Sequence, residues 1–196
     1  MKTLLQFLIM LAIFGHPSWA TEGFEGYSSD SELRGVWVVR NGNGSGCDNP
    51  ILSITTKESH RGSKSMRWEY DNGKNQGWES IAYCFPTKQD WSNKENFTFW
   101  IKGGKNSAEH ITVILYDYPD GSQGKSKRIG EQSTTVEWPT QADEWTRVVM
   151  PLDKFKRGEK GNRGLRFINS IEIGIKSTSS DWGYGPGVLH LDTISI

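Results

Sequence analysis

Cysteine is scarce, with Cys47 and Cys84 the two in 196 residues. Two cysteines can close one bridge, but they cannot build a disulfide scaffold or a four-cysteine zinc site. His60, His110 and His190 show no paired spacing with either cysteine, so a zinc centre has no signature here. Net charge is also lacking, since 23 basic side chains balance 23 acidic ones. That balance removes any overall attraction for nucleic acid or for an anionic membrane. No Gly-x-Ser-x-Gly elbow and no His-Glu-x-x-His pair occurs, which leaves serine-hydrolase and zinc-protease chemistry without its usual residues. Long helical periodicity is missing too: 31–34 after Asp30 and 152–156 each provide about one turn.

The apolar run at 4–14 is interrupted by Gln6 and falls short of the roughly 20 residues needed to span a membrane. It follows Lys2 and precedes Ser18-Trp19-Ala20, the layout of a signal peptide cleaved after Ala20. Residues 1–20 are therefore read as a signal, and 21–196 as a single domain with no membrane insertion. Removing the signal takes away Lys2 and no other charged residue. Export places both cysteines in oxidising surroundings, where a Cys47–Cys84 bridge would tether the Asn41-Gly42-Asn43-Gly44-Ser45-Gly46 segment.

What the chain has in abundance is aromatic side chains, with 9 Trp, 6 Tyr and 8 Phe. They sit in period-two patterns. Met66, Trp68 and Tyr70 alternate with polar neighbours, as do Phe97, Phe99 and Ile101. Further strands are expected at 79–85, 111–116, 134–138, 145–150, 171–176 and 188–196, separated by Gly, Asn, Asp and Pro turns. The fold class is all-β, an antiparallel β-sandwich. Strand parity turns Trp100 away from a core holding Phe97, Phe99 and Ile101, and turns Tyr116 and Tyr118 away from one holding Ile111, Val113 and Leu115. Trp68, Trp91 and Trp145 read as structural. Trp182 and Tyr184 lie in a Gly-rich loop that could extend a binding surface.

In order along the chain come Phe24-Glu25-Gly26-Tyr27, Gly62-Ser63-Lys64-Ser65-Met66, Asp90-Trp91-Ser92, Phe99-Trp100-Ile101-Lys102-Gly103, Trp145-Thr146-Arg147-Val148-Val149-Met150-Pro151-Leu152 and Leu191-Asp192-Thr193-Ile194. This series resembles the family 11 carbohydrate-binding modules and the related domain of complex I intermediate-associated protein 30. The resemblance implies a galactose-binding-like jelly roll whose groove holds β-glucans on aromatic platforms. Trp78 aligns with a groove tyrosine of family 11, whereas Ile175 stands where another platform tyrosine is expected.

A secreted, noncatalytic polysaccharide binder is thus expected, with a β-glucan as the leading ligand. One face carrying Trp78, Trp100 and Tyr116 would suit a sugar chain, with Tyr118, Arg157 and Trp182 as further contacts. The resemblance also implies a structural calcium held by Glu25, Asp192 and carbonyls around Lys64. Two other functions stay open. A secreted hydrolase or lyase would need a carboxylate pair from Glu69, Glu79 and Glu172, and an extracellular protein-interaction module would need no sugar. A partner enzyme or other extracellular protein is compatible with each reading.

Overall fold

The computed structural model describes residues 21–41, 51–71, 78–104, 107–117, 127–137, 144–155, 158–160, 163–176 and 186–196. Along these residues run β1 (Thr21–Glu22), α1 (Asp30–Val36), β2 (Trp37–Asn41), β3 (Ile51–Thr55), β4 (Ser65–Asp71) and β5 (Trp78–Gln89). They are followed by β6 (Asn96–Lys102), β7 (His110–Asp117), β8 (Lys127–Thr135), β9 (Thr146–Pro151), β10 (Ile168–Lys176) and β11 (Pro186–Ser195). The first sheet has the order β3-β4-β11-β6-β9, with β1 paired to β11; the second has the order β2-β5-β10-β7-β8. Their pairings are antiparallel. The expected sandwich is present. No helix among the described residues is long and apolar enough to cross a membrane.

Alternation explains which side chains fill the space between the sheets. Met66, Trp68 and Tyr70 of β4, with Phe97, Phe99 and Ile101 of β6, point inward from the first sheet. Ile81, Tyr83 and Phe85 of β5, with Ile171, Ile173 and Ile175 of β10, point inward from the second. A run of ring contacts crosses the core from Tyr83 to Phe85, then Trp91, then Phe97, at centroid separations of 5.0, 5.7 and 6.1 Å. Trp68 and Trp91 are structural, as their patterns require.

Two polar bonds to one carboxylate join the sheets through this apolar layer. Trp68 donates its indole N–H to Glu79 Oε1 at 2.9 Å, and the Asp71 N–H reaches Glu79 Oε2 at 3.3 Å. Glu79 is fully buried, so these partners offset part of the cost of removing a carboxylate from water.

Helix α1 is longer than the single turn expected at 31–34. Ser29 caps it by accepting from the Glu32 N–H, and the Glu32 carboxylate accepts from the Ser28 N–H, a reciprocal closure of the first turn. The strand expected at 134–138 lies earlier, as β8, because an edge strand paired only with β7 needs no apolar alternation. Strands β2 and β3 are too short to declare themselves by periodicity.

Candidate functional site

Parity on β5 sends Glu79, Ile81, Tyr83 and Phe85 inward and leaves Trp78, Ser80, Ala82 and Cys84 on the outer face of the second sheet. Neighbouring strands continue these outer rows. One row runs Arg40, Ser80, Gly174, Thr112 and Ser133; the next runs Val38, Ala82, Glu172, Ile114 and Glu131. A third joins Cys84, Ser170, Tyr116 and Arg128.

Trp78 packs close over this face because of a glycine. A Cβ added at Gly174 would stand 2.4 Å from Trp78 Cη2 and 2.5 Å from Cζ2, so only the missing side chain lets the indole rest across β10. The side chain is half-buried, with the far end of its ring against Gly174. Beside it is a polar network centred on Glu172, which is 5% exposed. Ser80 donates its hydroxyl to Glu172 Oε1 at 2.6 Å, and Arg40 Nη1 lies 3.3 Å from Oε2. Burial, followed by the charge of Glu172, pushes the Tyr116 phenol up to about 12, so it remains a donor at ordinary pH. Arg128 pairs with Glu131 at the far edge. The result is a part-exposed aromatic side chain next to fixed donors and acceptors, the combination that fits a ring with one apolar face and a fringe of hydroxyls.

The expected single face of Trp78, Trp100 and Tyr116 is corrected. Trp78 and Tyr116 share the outer face of the second sheet, but Trp100 belongs to β6 in the first sheet and faces away on the opposite side. There it stacks on His60 at 3.7 Å and 15°, and Trp145 meets the same imidazole edge-on at 6.0 Å. Strand parity identifies a face but does not say to which sheet the strand belongs. Ile175, which stands where a platform tyrosine was expected, is fully buried in the core, and its outer neighbour on β10 is Gly174. Tyr118, Arg157, Trp182 and Cys47 lie outside the described residues.

Arg40, Ser80, Ser170, Gly174 and Arg128 were not singled out by sequence. Counting every second residue from Trp78 would have found Ser80, whereas Arg128 sits beyond a register shift between Leu115 and Tyr116 that breaks the count on β8. The three carboxylates considered for catalysis are scattered. Glu79 points into the core, Glu69 lies outward on the first sheet and Glu172 outward on the second.

The residues expected to hold calcium do not fit that ion. Glu25 Oε1 accepts from the N–H groups of Ser63 and Lys64, and Oε2 accepts from the Ser63 hydroxyl, each at 2.8 Å. The Ser63 N–H leads these contacts in holding the Glu25 carboxyl below its ordinary range. Asp192 accepts from the N–H groups of His60 and Arg61 on one oxygen and of Thr193 on the other. The Lys64 ammonium donates to the carbonyls of Glu25 and Tyr27 at 3.2 and 2.8 Å. Calcium favours about six to eight oxygens with lone pairs turned toward it, and here those lone pairs face N–H groups and an ammonium. Among the described residues, no three His, Cys, Asp or Glu side chains form a metal-holding group.

The outer face of the first sheet carries a pH-sensitive position. His190 lies between Arg67 on β4 and Lys102 on β6, with Glu58 facing it. Burial pushes its imidazole below the ordinary value of 6.5, against the opposing pull of Glu58 and with help from Arg67 and Lys102. The folded chain therefore binds this proton less readily than the unfolded chain. Its contribution to stability is present above 6.5 and is lost as pH falls through the depressed folded value. In urea titrations at stepped pH, His190→Gln should flatten the acid-side loss; an unchanged profile would remove His190 from the cause.

Comparison with curated proteins gives no match. The family model described as carbohydrate binding domain 30 matches residues 25–196. Among solved structures, a family 11 carbohydrate-binding module from Clostridium thermocellum, in complex with a β-1,3-1,4-mixed-linked tetrasaccharide, is 18% identical with a TM-score of 0.60. That alignment covers 88% of this chain and 91% of the other. A family 30 module of a cellulosomal cellulase of Clostridium thermocellum is 16% identical with a TM-score of 0.56, covering 81% of this chain and 89% of that one. At such identities the structural likeness is one of fold. The family 11 resemblance therefore marks a shared β-sandwich, and the match over 25–196 assigns the chain itself to the carbohydrate binding domain 30 family.

Proposed function

We propose that the chain is an exported, noncatalytic module that holds a neutral extended polysaccharide, a β-glucan first among them, on the outer face of β5, β10 and β7. The observation that carries this reading is the Trp78 indole lying across Gly174 beside the Ser80, Arg40, Glu172 and Tyr116 network. Stacking would supply contact area, and the polar groups would choose among hydroxyls. The mixed-linked tetrasaccharide named with the family 11 structure makes soluble β-glucans the first ligands to try. Calorimetry against glucans, mannans, xylans and galactans should give saturable binding to at least one neutral polymer, without reducing sugar released on prolonged incubation. Absence of binding across that panel would turn the reading toward a protein partner. Release of sugar would replace it with a hydrolase. The loop aromatics Tyr118 and Trp182 belong to this proposal as secondary contacts, as does Arg157, whereas Trp100 on the opposite face does not; a secreted enzyme would be the natural recipient of such a module.

Export brings the cysteine bridge into the same proposal. Cys84 is exposed on the outer face of β5, and Asn41, at the end of β2, is paired with Glu79. Five residues of strand separate Glu79 from Cys84, about 17 Å. Cys47 is six residues beyond Asn41, and six extended residues reach about 20 Å, so the bridge is within range. Non-reducing peptide mapping of secreted material should recover the linked pair; stoichiometric alkylation of both thiols in the native protein would reject it.

Stability should not depend on calcium. The clasp formed by Glu25, Lys64 and Asp192 is satisfied by the chain's own donors. Chelation should shift the melting temperature by less than about 2 °C, since a site that binds nothing contributes nothing through linkage. A larger drop, reversed by added calcium, would restore the ion to this site.

A further inference from the structure

On the Cys84, Ser170, Tyr116 and Arg128 row, two buried side-chain atoms meet no hydrogen-bond partner: Ser170 Oγ and Arg128 Nε. They flank Tyr116, since Ser170 is its cross-strand neighbour on β10 and Arg128 its neighbour on β8. Ser170 is 1% exposed. Arg128 is held in place by its other end, where Nη1 donates to Glu131 Oε2 at 2.5 Å. A buried polar atom without a partner costs stability, and a fold that keeps one on each side of a tyrosine on a candidate binding face is holding polar atoms in reserve.

Resting on the glycan reading of this face, we infer that Ser170 and Arg128 form a hydroxyl-reading subsite that sets which neutral glycan is chosen, while Trp78 sets how tightly any glycan is held. The chemistry is that of two hydroxyls of one bound glycan that fall on either side of Tyr116, two strand spacings apart. Arg128 Nε–H can only donate, so it takes the oxygen of one hydroxyl; Ser170 Oγ can donate or accept, so it pairs with another farther along the glycan. The half-buried Tyr116 side chain stands between them, its hydroxyl engaged by Glu172 and Arg128, and on this proposal a bound glycan displaces it to reach both atoms. A site built to bond hydroxyls in one orientation rejects the epimer that leaves its buried groups unpaired.

Ser170→Ala and Arg128→Lys test this, the second keeping the charge while removing the Nε donor. Binding of β-1,4-linked glucose and mannose tetrasaccharides, which differ in the orientation of one hydroxyl per ring, should be measured by calorimetry beside wild type and Trp78→Ala. Each subsite variant should lose roughly fivefold or more for the preferred sugar and little for the other, collapsing the ratio between them. Trp78→Ala should weaken both sugars by a similar factor. Because Ser170→Ala removes an unpaired buried hydroxyl, its melting temperature should equal or exceed that of wild type. A retained sugar ratio in both subsite variants, with Trp78→Ala still weakening binding, would overturn the subsite and leave the face intact. Melting several degrees lower for Ser170→Ala would mark it as a packing residue and also overturn the subsite. No binding by wild type, or full binding by Trp78→Ala, would remove the face and the subsite together.

Discussion

Trp78→Ala should lower affinity for the bound glucan by about 30-fold or more, the equivalent of roughly 2 kcal/mol for loss of a dominant aromatic contact. The fold should survive, because the indole rests on the outside of β10 and no core side chain depends on it. Calorimetry and a thermal melt on the same sample separate the two effects. A variant that binds as wild type would remove the platform from this face. One that melts far below wild type would show the ring to be a structural cover.

Gly187→Ala should be the opposite case, a loss of stability with little effect on the site. Gly187 pairs directly with Tyr70 across the first sheet, and a Cβ there would stand 2.3 Å from the Tyr70 hydroxyl oxygen and 2.4 Å from Cζ. Tyr70 cannot yield freely, since it is 2% exposed, packs edge-on against Trp68 at 6.2 Å and accepts the Ala108 N–H at 2.8 Å. Overpacking costs about 1 to 3 kcal/mol, and a stranded buried N–H adds about 1 to 3 more, so urea denaturation should show a loss of roughly 2 to 6 kcal/mol. Affinity per folded molecule should hold, because the proposed glycan face belongs to the other sheet. A loss below about 0.5 kcal/mol would mean that the tyrosine has room to move.

Much of the sandwich was legible because alternation is a local property. Met66, Trp68 and Tyr70 announce a buried face without reference to any other strand, and so do Phe97, Phe99 and Ile101. The candidate face was less legible because it is assembled from β2, β5, β10, β7 and β8, whose order is not their order in the chain. Trp78 and Tyr116 were found by alignment and parity, yet the same parity gave Trp100, which belongs to the other sheet. Ile175 illustrates a one-residue error: on a strand, such an error exchanges the core for the surface. Gly174 carried no chemical signal at all, because its role is to be absent beneath a ring supplied from β5. The calcium expectation rested on the presence of acidic residues at two positions, and only their partners reveal that amides and an ammonium already occupy the oxygens.

Glu79, pinned to Trp68, also bears on how β5 finds its alignment during folding. Trp78 and Glu79 are consecutive, so a slip of one residue would exchange them, carrying an indole into the core and a carboxylate onto the outer face. Here the mis-set strand would leave the Trp68 N–H and the Asp71 N–H without their acceptor, and would strip the outer face of its ring in the same step. The buried acid acts as a key that fits one alignment only, tying the accuracy of strand pairing to the presence of the stacking surface.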